Sequence, residues 1–360
     1  MDDYYVAALQ SISGIGSTKI EALVNYFGNA QQAWQAHKGD LFLCKILDNK
    51  TCNNLLVQRE QLDVDQLKVD WDQQQIHLCT KRDKHYPALL QYIYQAPYLL
   101  YYRGQLPIHD EIMAMVGARN ASAYGKNAAH MLAAGLAQAG YWVVSGAARG
   151  IDTACHRGAL TQGATIAVLG CGVDICYPPE NRKLLQQICE QGAIISEYRP
   201  GTQPHPGFFP ARNRLISGMA RGVVVVEAAD RSGSLITADR ALEEGRDVYA
   251  VPGSIFSKTS VGTHRLIQQG AKLVQGLSDI LQECELLPKS LIQREQLDAE
   301  EQQIFDLLSY ETPVTIEELA VKTRLTLSSI TYIILQLELR GLVAQNNNQS
   351  YVRTAKEVIK

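Results

Sequence analysis

The chain has 360 residues, 46% of them hydrophobic, and a formal net charge of −3. That length and apolar content allow two or three domains with substantial cores and exclude disorder as the default state. The slightly acidic balance argues against a protein that coats nucleic acid through general positive charge, so any polyanion site has to be local.

The chain starts Met1-Asp2-Asp3, without the basic segment and apolar run of a secretory leader. Residues 1–105 read as a helical module with Gly14-Ile15-Gly16 set between Leu9/Ile12 and Ile20/Leu23. This is the spacing of a helix-hairpin-helix (SAM-like) unit, which can offer backbone N–H groups to a DNA phosphate. It is equally the spacing of a tight turn in a packing module, and Lys19 is the basic residue close by.

After Arg103-Gly104-Gln105-Leu106-Pro107, short apolar runs alternate with helical ones, the pattern of a parallel sheet. Strands are expected near 112–117, 141–145, 165–170, 193–196, 222–227, 247–251 and 272–274. Helices are expected near 122–139, 153–161, 180–190, 212–219, 235–244 and 263–269. Residues 106–287 therefore read as a doubly wound, Rossmann-like α/β domain, in which ligands bind beyond the carboxyl ends of the strands. Its apolar runs, such as 222–229, fall far short of the ~20 residues that cross a membrane, so no membrane partner and a cytoplasmic location are expected.

A polar stretch around 288–298 leads to a third unit, 298–360, with helices near 299–309, 315–323 and 327–340. Gly341-Leu342-Val343, an Asn-rich turn at 346–348 and Tyr351-Val352-Arg353 follow, the order of a winged helix. Ile330, Ile333, Ile334 and Leu337 give its third helix a buried face. The opposite face, with Ser328, Ser329, Thr331 and Tyr332, has no basic residue before Arg340 and is a poor match to a major-groove reader. The cysteines, at 44, 52, 79, 155, 171, 176, 189 and 284, form no CxxC pair, which points to reduced thiols and no bound metal.

Charge is concentrated. Residues 112–150 contain no Asp or Glu but carry Arg119, Lys126 and Arg149; residues 198–226 contain none but carry Arg199, Arg212, Arg214 and Arg221. Brought together, the two windows would make a focused positive surface for phosphate.

The loops behind the strands add detail. Gly117-Ala118-Arg119-Asn120-Ala121-Ser122 opens a helix whose free N–H groups favour an anion, with Arg119 as a bidentate partner. It is not GxGxxG, and no acid ends the second strand to hold a ribose, so no nicotinamide or flavin cofactor is expected. Ser145-Gly146-Ala147-Ala148-Arg149-Gly150 follows the second strand, with Asp152 placed for capping and His156 one turn into the helix as a structural group. Phe208-Phe209-Pro210-Ala211-Arg212-Asn213-Arg214 combines a stacking face, phosphate charges and an amide, the needs of a single strand. Ser232-Gly233-Ser234 enters another helix, although Glu227 and Asp230 nearby make it less hospitable to phosphate.

Taken together, VGARNAS at 116–122, SGAARGIDTACHRGAL at 145–160, AVLGCGVD at 167–174, FPARNRLISG at 209–218, SGSLITA at 232–238 and AVPG at 250–253 resemble the DprA/Smf family of DNA-processing proteins. The resemblance implies an extended Rossmann fold that binds single-stranded DNA, a homodimer, and help in loading a RecA-type recombinase during natural transformation. It assigns Gly117, Arg119, Ser122, Gly146, Arg149, Gly150, Phe208, Phe209, Arg212, Asn213 and Arg214 to the DNA, with Arg119 as the main phosphate contact. Within 262–271 it assigns His264, Leu266 and Ile267 to the dimer interface. Many members carry a lysine just before the Phe-Pro pair, where this chain has Pro206-Gly207. The alternative is a nucleotide-processing Rossmann enzyme of phosphoribohydrolase type, but the PGGxGTxxE segment with its catalytic glutamate is lacking at 232–237, so no catalytic residue is expected.

Overall fold

The computed structural model describes residues 1–282, 295–310, 312–323, 325–346, 350–354 and 358–359. Most of the linker expected at 288–298, the Asn-rich turn beyond 346, and Cys284 lie outside the described residues. The chain opens with α1 (Asp2–Ser11), α2 (Ser17–Phe27), α3 (Ala30–Gln35), α4 (Lys38–Leu43), α5 (Asn49–Gln61) and α6 (Val64–Gln73). Gly14 has φ +93° in the turn between α1 and α2, which a Cβ would disfavour. Lys19, the basic residue of this hairpin, donates to the Gly14 carbonyl at 2.8 Å and so closes the turn.

Two strands follow inside the segment expected to be helical, β1 (His77–Thr80) and β2 (Leu99–Gly104). They pair antiparallel with each other, and β2 pairs antiparallel with β6 (Ala193–Ser196). Short apolar runs such as Leu99-Leu100-Tyr101 carry no period that separates strand from buried helix. The remaining strands are β3 (Ile112–Val116), β4 (Trp142–Ser145), β5 (Thr165–Val168), β7 (Gly222–Val225), β8 (Asp247–Ala250) and β9 (Lys272–Leu273). They complete a nine-stranded sheet among the described residues, in the order β1-β2-β6-β5-β4-β3-β7-β8-β9, parallel from β6 to β9. Chain order reverses between β3 and β7, where a doubly wound sheet opens its crevice.

Helices cover both faces because the central strands are buried on both; every residue of β3 and β7 is buried. On one face lie α7 (Ala123–Gln138), α8 (Ile151–Ala159) and, further along the chain, α13 (Leu277–Leu281), with Leu132, Leu136, Ile151 and Cys155 in the core. On the other lie α10 (Phe208–Met219), α11 (Gly233–Glu243) and α12 (Val261–Gln268), with Leu215, Ile216, Leu235 and Leu266 in the core. Between these sets, α9 (Arg182–Gln191) shares a continuous apolar cluster with the N-terminal helices through Leu184, Leu185 and Ile188. The helical module is therefore docked on the sheet rather than held by a free linker.

The C-terminal unit has its own core. It contains β10 (Glu295–Gln296), α14 (Ala299–Leu307), β11 (Val314–Thr315), α15 (Ile316–Thr323), α16 (Leu327–Leu339), the hairpin β12 (Val343–Asn346) and β13 (Ser350–Arg353), and β14 (Val358–Ile359). It is a winged helix. Asp298 and Glu301 form a capping box at the start of α14, and Ile330, Ile333, Ile334 and Leu337 face inward as their spacing requires. No helix among the described residues is long and apolar enough to cross a membrane.

One expectation from 262–271 changes. Leu266 is buried in the sheet core, Ile267 packs partly against the same core, and His264 Nε2 meets the Gly253 carbonyl at 3.0 Å. Leu266 is thus spent on the fold of its own chain, while His264 and Ile267 stay partly exposed. The outward residues of α12 are Val261, Arg265 and Gln268, because the helical period that buries Gly262, Thr263 and Leu266 turns these away.

Candidate nucleic-acid interface

The loops at the carboxyl ends of β3, β4, β5 and β7 converge around an open cleft of about 610 Å³. Its walls come from the β3–α7 loop (Gly117 to Asn120), Ala148 and Asp152 behind β4, Tyr177 behind β5, the first turns of α10, and the Ser232–Thr237 start of α11. A narrower gap carries the depression on between Arg119, Arg149, Tyr177 and Phe209.

The glycines of the two arginine loops hold those loops together. A Cβ on Gly150, whose φ is +77°, would lie 2.3 Å from the Ala118 carbonyl; one on Gly117 would lie 2.6 Å from Ile151; one on Gly146 would strike Arg212. They were expected to admit a ligand to the backbone, but their first use is close packing of loop on loop. Ser122 caps α7, accepting from Gly125 N at 3.0 Å, and donates its hydroxyl to Glu227 at 2.5 Å. Its hydroxyl is thus spent within the fold.

Glu227, read from the sequence as an unwelcome acid, is buried and turned away from the cleft. Its carboxylate accepts from Ser122 N and Oγ and from Thr259, which ties the loops behind β3 and β7 and behind β8 to one another. Asp230 pairs with Arg265 at 2.8 Å. Neither adds a free negative charge. No periodicity marks Glu227 as an organiser, since its partners are brought to it by three separate loops.

The arginines divide by environment. Arg119 is exposed, has no acidic partner among the described residues, and lies with its guanidinium 5.6 Å from the Phe209 ring centre. Arg149 is also exposed but forms an ion pair with Glu180. Arg212, expected on a phosphate, lines the floor of the cleft but is itself buried there: it donates to the carbonyls of Gly146 (2.8 Å) and Val168 and faces Asp152. Burial lowers its pKa to about 10, so it stays charged, and burial likewise raises that of Asp152 against the pull of Arg212. Arg214, two residues on, turns to the other side and pairs with the largely buried Glu197, away from the cleft. Both corrections have one cause: α10 starts at Phe208, so 208–214 is helix rather than loop and its side chains fan out at the helical period. Pro210 is tolerated in that first turn, where a backbone N–H has no partner in any case.

The same period separates the two phenylalanines. Phe208 stacks on Tyr198 at 4.3 Å between ring centres, whereas Phe209 lines the cleft between Arg119 and Tyr177, the latter ring 5.3 Å away. Tyr177 was not among the expected contacts; the aromatic residue just before Pro178-Pro179 was its only signal. Asn213 reaches across to the Gly233 carbonyl at 3.3 Å at the mouth of α11. There the Thr237 hydroxyl is buried on the cleft wall with no hydrogen-bond partner among the described residues. His156 is fully buried on Thr165 at 2.8 Å with its pKa pushed down to about 3 by burial, a neutral structural group.

Fold and cleft define a Rossmann-type protein whose switch-point crevice offers an exposed guanidinium, a tilted pair of aromatic rings and helix N-termini. The comparisons then give the family. Residues 77–285 match the family model for DNA recombination-mediator protein A, and residues 293–348 match the DprA winged helix domain. The chain belongs to the DprA/Smf family. It is 43% identical to DNA processing protein DprA of Streptococcus pneumoniae, over 76% of this chain and 95% of that protein, and 32% identical to Protein Smf of Synechocystis, over 97% and 98%. The crystal structure of the S. pneumoniae protein matches with a TM-score of 0.68 at 40% identity, covering 78% of this chain and 97% of that one. A Helicobacter pylori DNA processing protein A structure, described for its single-stranded DNA binding mode, matches with 0.54 at 28% identity, covering 59% and 96%. The first family match begins at residue 77, where β1 begins.

Proposed function

We propose that this protein binds single-stranded DNA in the switch-point cleft and passes the strand to a RecA-type recombinase during DNA uptake and recombination. The observation that carries the reading is Arg119, an exposed cation with no acidic partner among the described residues, set over Phe209, with Tyr177 beside that ring. A phosphate can take the guanidinium while a base stacks on the aromatic pair, the two needs of single-strand capture. The family, and the H. pylori relative described as a single-strand binder, support the ligand. The recombinase is supported by the description of the family as a recombination mediator.

Binding rather than catalysis is part of the proposal. The carboxylate of Asp152 is engaged by Arg212, Glu227 is internal, and burial raises the Cys171 thiol to about 11, so these two acids and this thiol are occupied or unactivated. A cytoplasmic location and a homodimer belong to the same reading. For the dimer, the apolar residues left outward around α12 are the support: Ile255 and Phe256, 80% and 91% exposed, with Val261 and Leu273.

Fluorescence anisotropy on single- and double-stranded oligonucleotides of equal length tests the ligand. Single strands should bind more tightly, and a site neutralising ~4 phosphates should give a log–log salt slope near about −3. Preference for duplex, or no binding, would overturn the reading.

A further inference from the structure

A second concavity, of about 420 Å³, lies on the flank beside the cleft, between α7, α8 and the Pro179–Asn181 turn. Lys126, His130, Arg149 and Arg157 line it, with Glu180 as its acid, and Glu180 is already paired with Arg149. Lys126 and Arg157 are exposed and have no acidic partner among the described residues. Burial first, and Arg157 second, hold the pKa of His130 below its ordinary value. The two helices approach closely because Gly158 lies against the backbone of His130, where a Cβ would be 2.2 Å from the carbonyl oxygen. That approach brings a residue near the start of α7 and one near the end of α8 to a single groove.

The groove continues the cleft. Arg149 lines both it and the narrow gap, and Arg119, Tyr177 and Phe209 line both the gap and the cleft. No Phe, Tyr or Trp lines the groove, so it has charge for a backbone and, beyond the His130 imidazole, no stacking face for a base. We propose that the α7–α8 groove is a second phosphate subsite that holds the backbone of the same strand after it leaves the cleft, with Arg149 exchanging Glu180 for a phosphate at the threshold. This rests on the cleft being the primary site.

The test uses the full chain and thymidine oligonucleotides of about 6 and about 16 nucleotides, the range a single binding unit spans. Lys126→Glu/Arg157→Glu should leave the short oligonucleotide unaffected and weaken the long one about tenfold or more, lowering its salt slope by about 1.4 for two lost phosphates. Lys126→Gln/Arg157→Gln, which removes charge without reversing it, should move the long oligonucleotide in the same direction by less. An equal effect on both lengths, or none on the long one, overturns the groove. If the wild type binds neither length, the cleft reading itself falls and the groove with it. If inorganic phosphate binds the wild type and is lost in the Glu variant while the long strand is unaffected, the groove is a free-anion site and the strand path is overturned.

Discussion

Arg119 and Arg212 stand on segments that meet at one cleft, yet one is exposed with no acidic partner among the described residues and the other is buried in the floor against carbonyls and Asp152. Their substitutions should separate accordingly. Arg119→Ala should weaken single-strand binding for every sequence and flatten the salt slope by about 0.7, with an unchanged melting curve; unaltered slope and affinity in the anisotropy titration would remove it from the site. Arg212→Ala leaves Asp152 buried without its counter-charge and should cost about 3–5 kcal/mol of stability in a urea titration. Phe209→Ala should lose about 1–3 kcal/mol of strand affinity, while Phe208→Ala, which removes the stack on Tyr198, should lower stability and leave affinity in place. His156 adds a pH dependence. Its folded pKa of about 3 lies below the ordinary 6.5, so above pH 6.5 neither state binds the proton and its neutral form costs nothing. As pH falls below 6.5 the unfolded chain protonates first, and stability should drop by about 1.4 kcal/mol per pH unit from this residue until the folded pKa is reached. Urea titrations of wild type and His156→Gln at pH 7 and pH 5 measure the difference.

At the scale of elements, α10 and α12 carry the differences between chain and fold. Because α10 begins four residues before the expected 212, a segment that reads as one binding loop becomes a helix with three directions: Phe209 into the cleft, Arg212 under it and Arg214 to the far side. Helix α12 shows the reverse effect: Leu266, assigned to a dimer, is a residue the helix needs for its own packing. Leu266→Glu should therefore unfold the domain, whereas Phe256→Glu with Val261→Glu should keep the melting temperature and yield monomers in light scattering if the outward face joins two copies. A folded dimer in the latter variant would move the interface elsewhere.

For the whole molecule, the N-terminal helices share a core with the sheet while the winged helix has its own. Removing residues 299–360 should leave the single-strand affinity and salt slope of the cleft intact, and loss of both would transfer binding to the winged helix. The central parallel sheet, its crossover helices and the winged helix were legible in the sequence because their signals are local: runs of Val and Ile, helical periods and caps act within a few residues. The strand-end loops that line the cleft were legible for the same reason. Strands β1 and β2 were not, since their pairing is with distant chain segments and their short apolar runs have no distinguishing period. Nor were the inward turn of Glu227, the burial of Arg212, the separation of Phe208 from Phe209 and the place of Tyr177 in the cleft. Each of these depends on which loops, far apart in the chain, are packed against one another, and that is decided by the closing of the sheet and not by any residue's neighbours in sequence.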